Sequence, residues 1–289
     1  MQGTVDGFSY GLVTPVVAYL MACLGGALGL RCTTRSTLVD GRWRIGWLAL
    51  GSAAIGSGIW TMHFVAMMGF NVLQSPVEYD PLTTFASLAV AVVMVGIGIF
   101  MVASKGATGA ALFTGGTITG LGIASMHYLG MAGMRLNGTL GYNTFTVAAS
   151  VVIAVVAAIA ALWAAGQVRG FLWSVGASLV MGVAVSGMHY TGMAALSVHL
   201  HSAAAPTPDG GSSSAALLAP LMIGPLVFLL LAGVVVMFDP FMIMGRFHGN
   251  PVERRPGIPA QATAHTCRRQ ESHTGAEHRE RSYRTPQNR

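Results

Sequence analysis

"SGMHYTGMAAL", residues 186–196, places a histidine between two methionines inside an apolar run. Two further stretches carry the same pattern, "SMHYLGMAGM" at 125–134 and "TMHFVAMMGF" at 61–70. The histidines, His63, His127 and His189, are separated by 64 and 62 residues. The match extends upstream. Gly56, Gly120 and Gly182 each lie seven residues before the histidine, and Gly58, Gly122 and Ala184 lie five before it. Downstream, Met67, Met131 and Met193 each lie four after it. A repeat of about 60 residues with polar positions in register predicts quasi-equivalent helical hairpins, each too small to bury its own apolar face.

The surroundings of the repeat decide the solvent. Apolar residues make up 53% of the 289-residue chain and charged residues 9%, against about 25% charged in a soluble domain. Residues 1–245 hold seven Lys/Arg and six Asp/Glu; residues 246–289 hold nine and four. The net charge of +6 is thus +1 in the body and +5 in the tail. Such a body cannot cover itself with a water-facing surface and reads as membrane-embedded. A membrane span needs about 20 mostly apolar residues. That length gives seven spans, near 9–30, 46–70, 83–103, 110–134, 145–166, 172–196 and 217–238. The expected fold is an all-α transmembrane bundle of three repeated hairpins plus one extra helix, tightly packed because glycine is abundant within the spans. Residues 1–245 form the transmembrane domain. Residues 246–289, basic and poor in apolar residues, are expected to be a disordered tail, and 201–214 ("HSAAAPTPDGGSSS") a flexible loop.

Charge asymmetry predicts orientation. Arg31, Arg35, Arg42, Arg44, Lys105, Arg169 and the tail arginines fall on one side. The other side has only Arg135 against Glu78, Asp80 and Asp209. The expectation is a multi-pass inner (plasma) membrane protein with its N-terminus outside and its tail in the cytoplasm. All three motifs then lie near the outer face. Asp6 in place of a basic n-region argues against a cleavable signal peptide. Cys23, Cys32 and Cys267 suggest neither a disulfide nor a CxxC site. No motif announces a soluble enzyme, nothing points to a nucleic-acid partner, and the chain is read as a non-enzyme whose first partner is the lipid bilayer.

A single methionine at helical spacing is core filler, and a single membrane histidine joins helices by a hydrogen bond. Three sets in register point instead to a shared site, because intramembrane ionisable residues mark function. Residues four apart share a helix face, pairing His63 with Met67, His127 with Met131 and His189 with Met193. Met62, Met126 and Met188 lie about 100° around the helix. Imidazole with thioether suits copper, above all Cu(I). Haem is the second candidate, and zinc would want cysteine or carboxylate as well. Tyr128 and Tyr190 carry less weight, since Phe64 replaces them in the first copy. His199, His201 and the tail histidines 248, 265, 273 and 278 read as bystanders.

At these residues the sequence resembles the MHYT-domain family of bacterial membrane proteins. "MHYT" is intact at 188–191, with "MHYL" at 126–129 and "MHFV" at 62–65, and "SPVEYDPLTT" at 75–84 is also similar to the family. The resemblance spans about 9–238. It implies a sensor that binds copper through motif Met and His residues and detects oxygen, carbon monoxide, nitric oxide or redox state. Family members often carry cyclic-di-GMP (GGDEF and EAL) or kinase domains. A 44-residue polar tail is too short for one, so the expectation is a stand-alone form acting through a separate cytoplasmic signalling protein. Two other functions compete: a copper transporter or copper-handling protein, and a zinc hydrolase assisted by Asp80 or Glu78.

Overall fold

A computed structural model describes residues 5–6, 10–72, 77–167, 170–200 and 214–239. Among them are seven helices long and apolar enough to cross a membrane: α1 (Val13–Ser36), α2 (Gly41–Met68), α3 (Pro81–Lys105), α4 (Gly109–Ala132), α5 (Thr144–Gln167), α6 (Phe171–Ala194) and α7 (Ser214–Met237). The chain is a multi-pass membrane protein. Every expected span is present. The expected tail 246–289, the loop 201–213, Arg169, His201, Cys267 and the tail histidines lie outside the described residues. Cys23 and Cys32 are buried free thiols.

Helices run past the apolar stretches that announce them. α1 continues through Arg31 and Arg35, and α2 begins before Arg42 and Arg44. Long basic side chains allow this by keeping their heads polar while their stems pack. Arg35 is itself buried, ion-paired to Asp239 just past α7 and lying over the Trp47 ring. Tight turns join α1 to α2 and α3 to α4, with Gly41 (59°) and Gly106 (74°) at positive φ, a region a side chain resists. Gly170, just before α6, also has positive φ (112°).

At the opposite end the hairpins are zipped by short antiparallel ribbons. β1 (Val5–Asp6) pairs with β2 (Asn71–Val72), β3 (Glu78–Tyr79) with β4 (Met134–Arg135), and β5 (Gly138–Tyr142) with β6 (Leu196–Leu200). The repeating unit is therefore strand–helix–helix–strand, three times over. Asp80 caps α3 by accepting from the Thr83 N–H at 2.9 Å; Asn143 caps α5 by accepting from Thr146 at 3.1 Å.

Six helices close a ring in the order α1 to α6, with α6 packed back against α1. α7 stays outside and packs on α2 and α1. The motif glycines show how the ring closes. A Cβ at Gly56 would meet the Val92 Cα of α3 at 2.8 Å, and one at Gly120 the Val155 backbone of α5. At the third copy, Gly182, the neighbours are Cys23 and Tyr19 of α1. Thus α1, not the repeat's own following helix, takes the third outer position. Close backbone approach across small residues is the usual adhesive of membrane helices. Gly25 of α1 and Gly58 of α2 meet in the same way, a Cβ on the first lying 2.7 Å from the second's Cα.

Candidate metal centre

The three motif helices α2, α4 and α6 alternate with α1, α3 and α5 around the ring, and each turns its histidine inward. His63, His127 and His189 are all 1% exposed. Nδ1 of His63 stands 3.1 Å from Nδ1 of His189 and 3.1 Å from Nδ1 of His127; the third edge is 3.3 Å. The rings meet edge to face, with centroids 4.9, 5.0 and 5.1 Å apart and interplanar angles of 83°, 77° and 87°. This is a three-bladed propeller with one nitrogen of each blade at the hub.

Hydrogen bonding cannot satisfy that hub. Each neutral ring nitrogen offers either one proton or one lone pair. Three such atoms in mutual contact cannot be divided into donor–acceptor pairs. A cation that accepts three lone pairs removes the conflict. Two nitrogens on one ion, each at about 2.0–2.1 Å, are about 3.3–3.6 Å apart in tetrahedral or trigonal sites. The observed edges match that spacing to within a few tenths of an ångström. Among the described residues, these three histidines are the group of His, Cys, Asp or Glu that could hold a metal ion.

The outer ring nitrogens are held by packing. Nε2 of His63 and Nε2 of His127 are buried and have no hydrogen-bond partner among the described residues. Gly130 of α4 faces the first and Gly192 of α6 the second; a Cβ at Gly130 would lie 2.6 Å from His63 Nε2, and one at Gly192 would be closer still to His127. Both glycines stand three residues after a motif histidine, where the first copy has Ala66. The sequence reading missed these contacts. The signal was present, since "LGM" and "TGM" put glycine in the same register twice.

The residue after each histidine packs edge-on to it: Phe64 at 4.6 Å, Tyr128 at 4.9 Å and Tyr190 at 5.0 Å between centroids. A phenyl edge serves as well as a phenol edge, which accounts for Phe64. The Tyr128 hydroxyl bonds Ser150 of α5 at 2.6 Å and not the propeller. Met62, Met67, Met126, Met131 and Met188 are fully buried in the core cluster that surrounds the rings, and Met193 is packed against it. His199 is exposed on β6 and paired to Thr139. Asp80 is engaged with Thr83 and Arg135. Its carboxyl is held below the usual range chiefly by the Thr83 hydroxyl and N–H, with Arg135 contributing.

Three inward histidines inside a ring of membrane helices define a buried intramembrane polar centre. The family model described as "Bacterial signalling protein N terminal repeat", MHYT, matches residues 56–115, 120–178 and 182–240. The chain belongs to the MHYT signalling-protein family. It is 40% identical over 192 residues to the bifunctional diguanylate cyclase/cyclic di-GMP phosphodiesterase MucR of Pseudomonas aeruginosa, covering 65% of this chain and 28% of that protein. It is 36% identical to the cyclic di-GMP phosphodiesterase NbdA of the same organism (68% and 26%). It is 31% identical to the signaling protein YkoW of Bacillus subtilis (66% and 24%). The chain thus spans about a quarter of the length of these relatives. No solved structure matches it.

Proposed function

We propose that the protein is a membrane sensor that holds one copper ion, as Cu(I), through His63, His127 and His189. The observation that carries this is the meeting of three Nδ1 atoms within 3.1–3.3 Å. Charge argues for a monovalent ion. The three ligands are neutral, and no carboxylate among the described residues joins them. Burying an uncompensated double charge costs far more than a single one. Thioethers of Met62, Met67, Met126, Met131, Met188 and Met193 are the further donors available around the rings, and soft sulfur favours Cu(I). Bound copper would supply a redox couple and a coordination position for a diatomic gas such as oxygen, CO or NO. The rings fix its position and the apolar shell excludes water. Haem is less suited, because the propeller leaves its hub no wider than a single ion.

On this reading residues 1–245 are the sensing domain and 246–289 a cytoplasmic tail, with the N-terminus outside. Two of the relatives, MucR and NbdA, are named as cyclic di-GMP enzymes. Their names support an output through a separate cytoplasmic signalling protein of that kind. Transport has less support because few polar side chains lie deeper in the bundle, and two of them, Ser178 and Thr119, donate to the Val175 and Met94 carbonyls. A zinc hydrolase is disfavoured because Asp80 serves as a helix cap.

The test is copper content and X-ray absorption of purified protein, in native form and with all three histidines replaced by alanine. One copper per chain with nitrogen scatterers, lost in the triple variant, is expected. Copper retained by that variant rejects the site. Nitrogen-only scattering would remove the methionines while keeping the histidines.

A further inference from the structure

Directly beneath the propeller the bundle is hollow. Ile59, Ile123 and Val185 stand one helical turn before His63, His127 and His189, and all three line one cavity of about 50 Å³. The next turn down, Ile55, Thr119 and Met181, lines it too. Met188, beside His189 in the chain, reaches its wall. The cavity therefore lies on the ring's axis and adjoins the histidine layer.

Its origin is a break in the three-fold pattern. α3 and α5 are related by a shift of 63 residues, seen in Asp80 and Asn143, Ser87 and Ser150, and Val92 and Val155. In that register α5 carries Ala157, Ala158 and Ala165 where α3 carries Met94, Val95 and Val102. The three alanines line the cavity. On this side of the cavity α5 presents smaller side chains than α3 does in the same register.

The cavity also offers little to water. Its two hydroxyls are both engaged: Thr33 donates to the Leu30 carbonyl at 2.9 Å and Thr119 to that of Met94 at 3.4 Å. A buried water needs two to four polar partners, whereas apolar voids stay empty or take apolar solutes. A second hollow of about 250 Å³ shares Thr33, Ile99, Leu162 and Ala165 with it. This hollow reaches Thr37, Arg44 and Gly166 at the helix ends away from the histidines. Those four shared residues form the partition between the two spaces.

The geometry points to a second binding site, separate from the histidine hub. The axial cavity holds one uncharged apolar molecule of diatomic size, which enters from the end that carries Arg44 and passes the Thr33–Ile99–Leu162–Ala165 partition. Ions are excluded from the axial cavity because, beyond Thr33 and Thr119, its wall is apolar. What the molecule meets at the top rests on the copper reading; occupancy of the cavity does not.

The experiment has two arms and uses Ala158→Val and Ala157→Met/Ala158→Val, which restore α3's residues on α5. Crystals of the full chain pressurised with xenon should show xenon among Ile59, Ile123 and Val185 in the native protein and none in the double variant. Absence of xenon from the native cavity overturns the proposal, as does equal occupancy in the filled protein. In the second arm copper-loaded protein rebinds CO after photolysis. Filling should slow association about tenfold, equivalent to ~1.4 kcal/mol, with copper content and the CO stretching frequency unchanged. An unchanged rate at full copper loading overturns the route. Absence of copper rejects the copper reading instead and leaves the xenon result to decide the cavity. Ala158→Val alone reproduces Val95 of α3, so it should fold and shift both readouts in the same direction.

Discussion

Gly130 and Gly192 offer a sharp test of whether packing aims the histidines. In Gly130→Ala the new methyl would stand 2.6 Å from His63 Nε2 and 3.2 Å from Phe64 Cζ. Comfortable contact begins near 3.5 Å, so the outer edge of the imidazole must retreat by about 0.9 Å. The ring pivots at its own Cβ, and Nδ1 lies nearer that pivot, so Nδ1 shifts by about two-thirds as much, ~0.6 Å. Metal–ligand distances tolerate about 0.2 Å. The expected outcome is a fall in Cu(I) affinity of about 10- to 100-fold, the range for loss of a ligand's support. Overpacking should also cost about 1–3 kcal/mol of stability. Gly192→Ala acts on His127 in the same way, with the larger clash. Ala66→Gly, the same register in the first copy, removes a methyl and should leave affinity within about twofold. A Cu(I) chelator titration of detergent-purified protein, with thermal melts in parallel, reads all three. If both alanine variants titrate and melt like the native chain, the glycines do not hold the rings and the reasoning fails.

Three further outcomes are expected. Asp239→Ala removes the buried carboxylate that Arg35 ion-pairs with and should destabilise the protein by about 1–3 kcal/mol, whereas Arg35→Met with Asp239→Leu should recover most of the loss; a melt of the double variant as low as the single contradicts this. Asp80 has a lowered pKa, so its contribution is present above the unfolded value of about 3.9 and fades as pH falls through the folded one. The gap in melting temperature between native and Asp80→Ala protein should accordingly close in strong acid, and a constant gap from neutral pH downward would count against the cap. In a background with the native cysteines replaced, Asn137→Cys should react with an impermeant maleimide in intact cells and Ser104→Cys only after the membrane is opened; the reverse pattern inverts the charge-based orientation.

The sequence made the spans legible because the membrane demands about 20 apolar residues whatever the fold. It made the histidine site legible because three polar residues recur in register, which apolar core residues need not do. Helix ends were harder to read. Arg31, Arg35, Arg42 and Arg44 look like loop charges, yet all lie within helices. The ribbons were invisible. Two-residue strands such as Glu78–Tyr79 have no alternating pattern to detect, and their partner Met134–Arg135 lies far along the chain. Nor could repetition reveal that α1 fills the place expected for the helix after α6. That choice rests on Cys23 and Tyr19 fitting against Gly182, a matter of shape and not of pattern. The methionines fall between these cases: spacing assigns them a face, and burial keeps them beside the rings, but the reach of a thioether depends on its rotamer.

The junction between α6 and α1 has a consequence for assembly. Every other neighbouring pair in the ring is consecutive in the chain, so five joints are tethered and one, between α6 and α1, is a seam. The tethered run from α1 to α6 carries all three histidines, and His189 completes the hub only when α6 closes against α1. An ion held by all three rings then acts as a bolt across that seam, since whatever binds the closed form stabilises it by mass action. Losing the bolt would loosen the ring at one predetermined place.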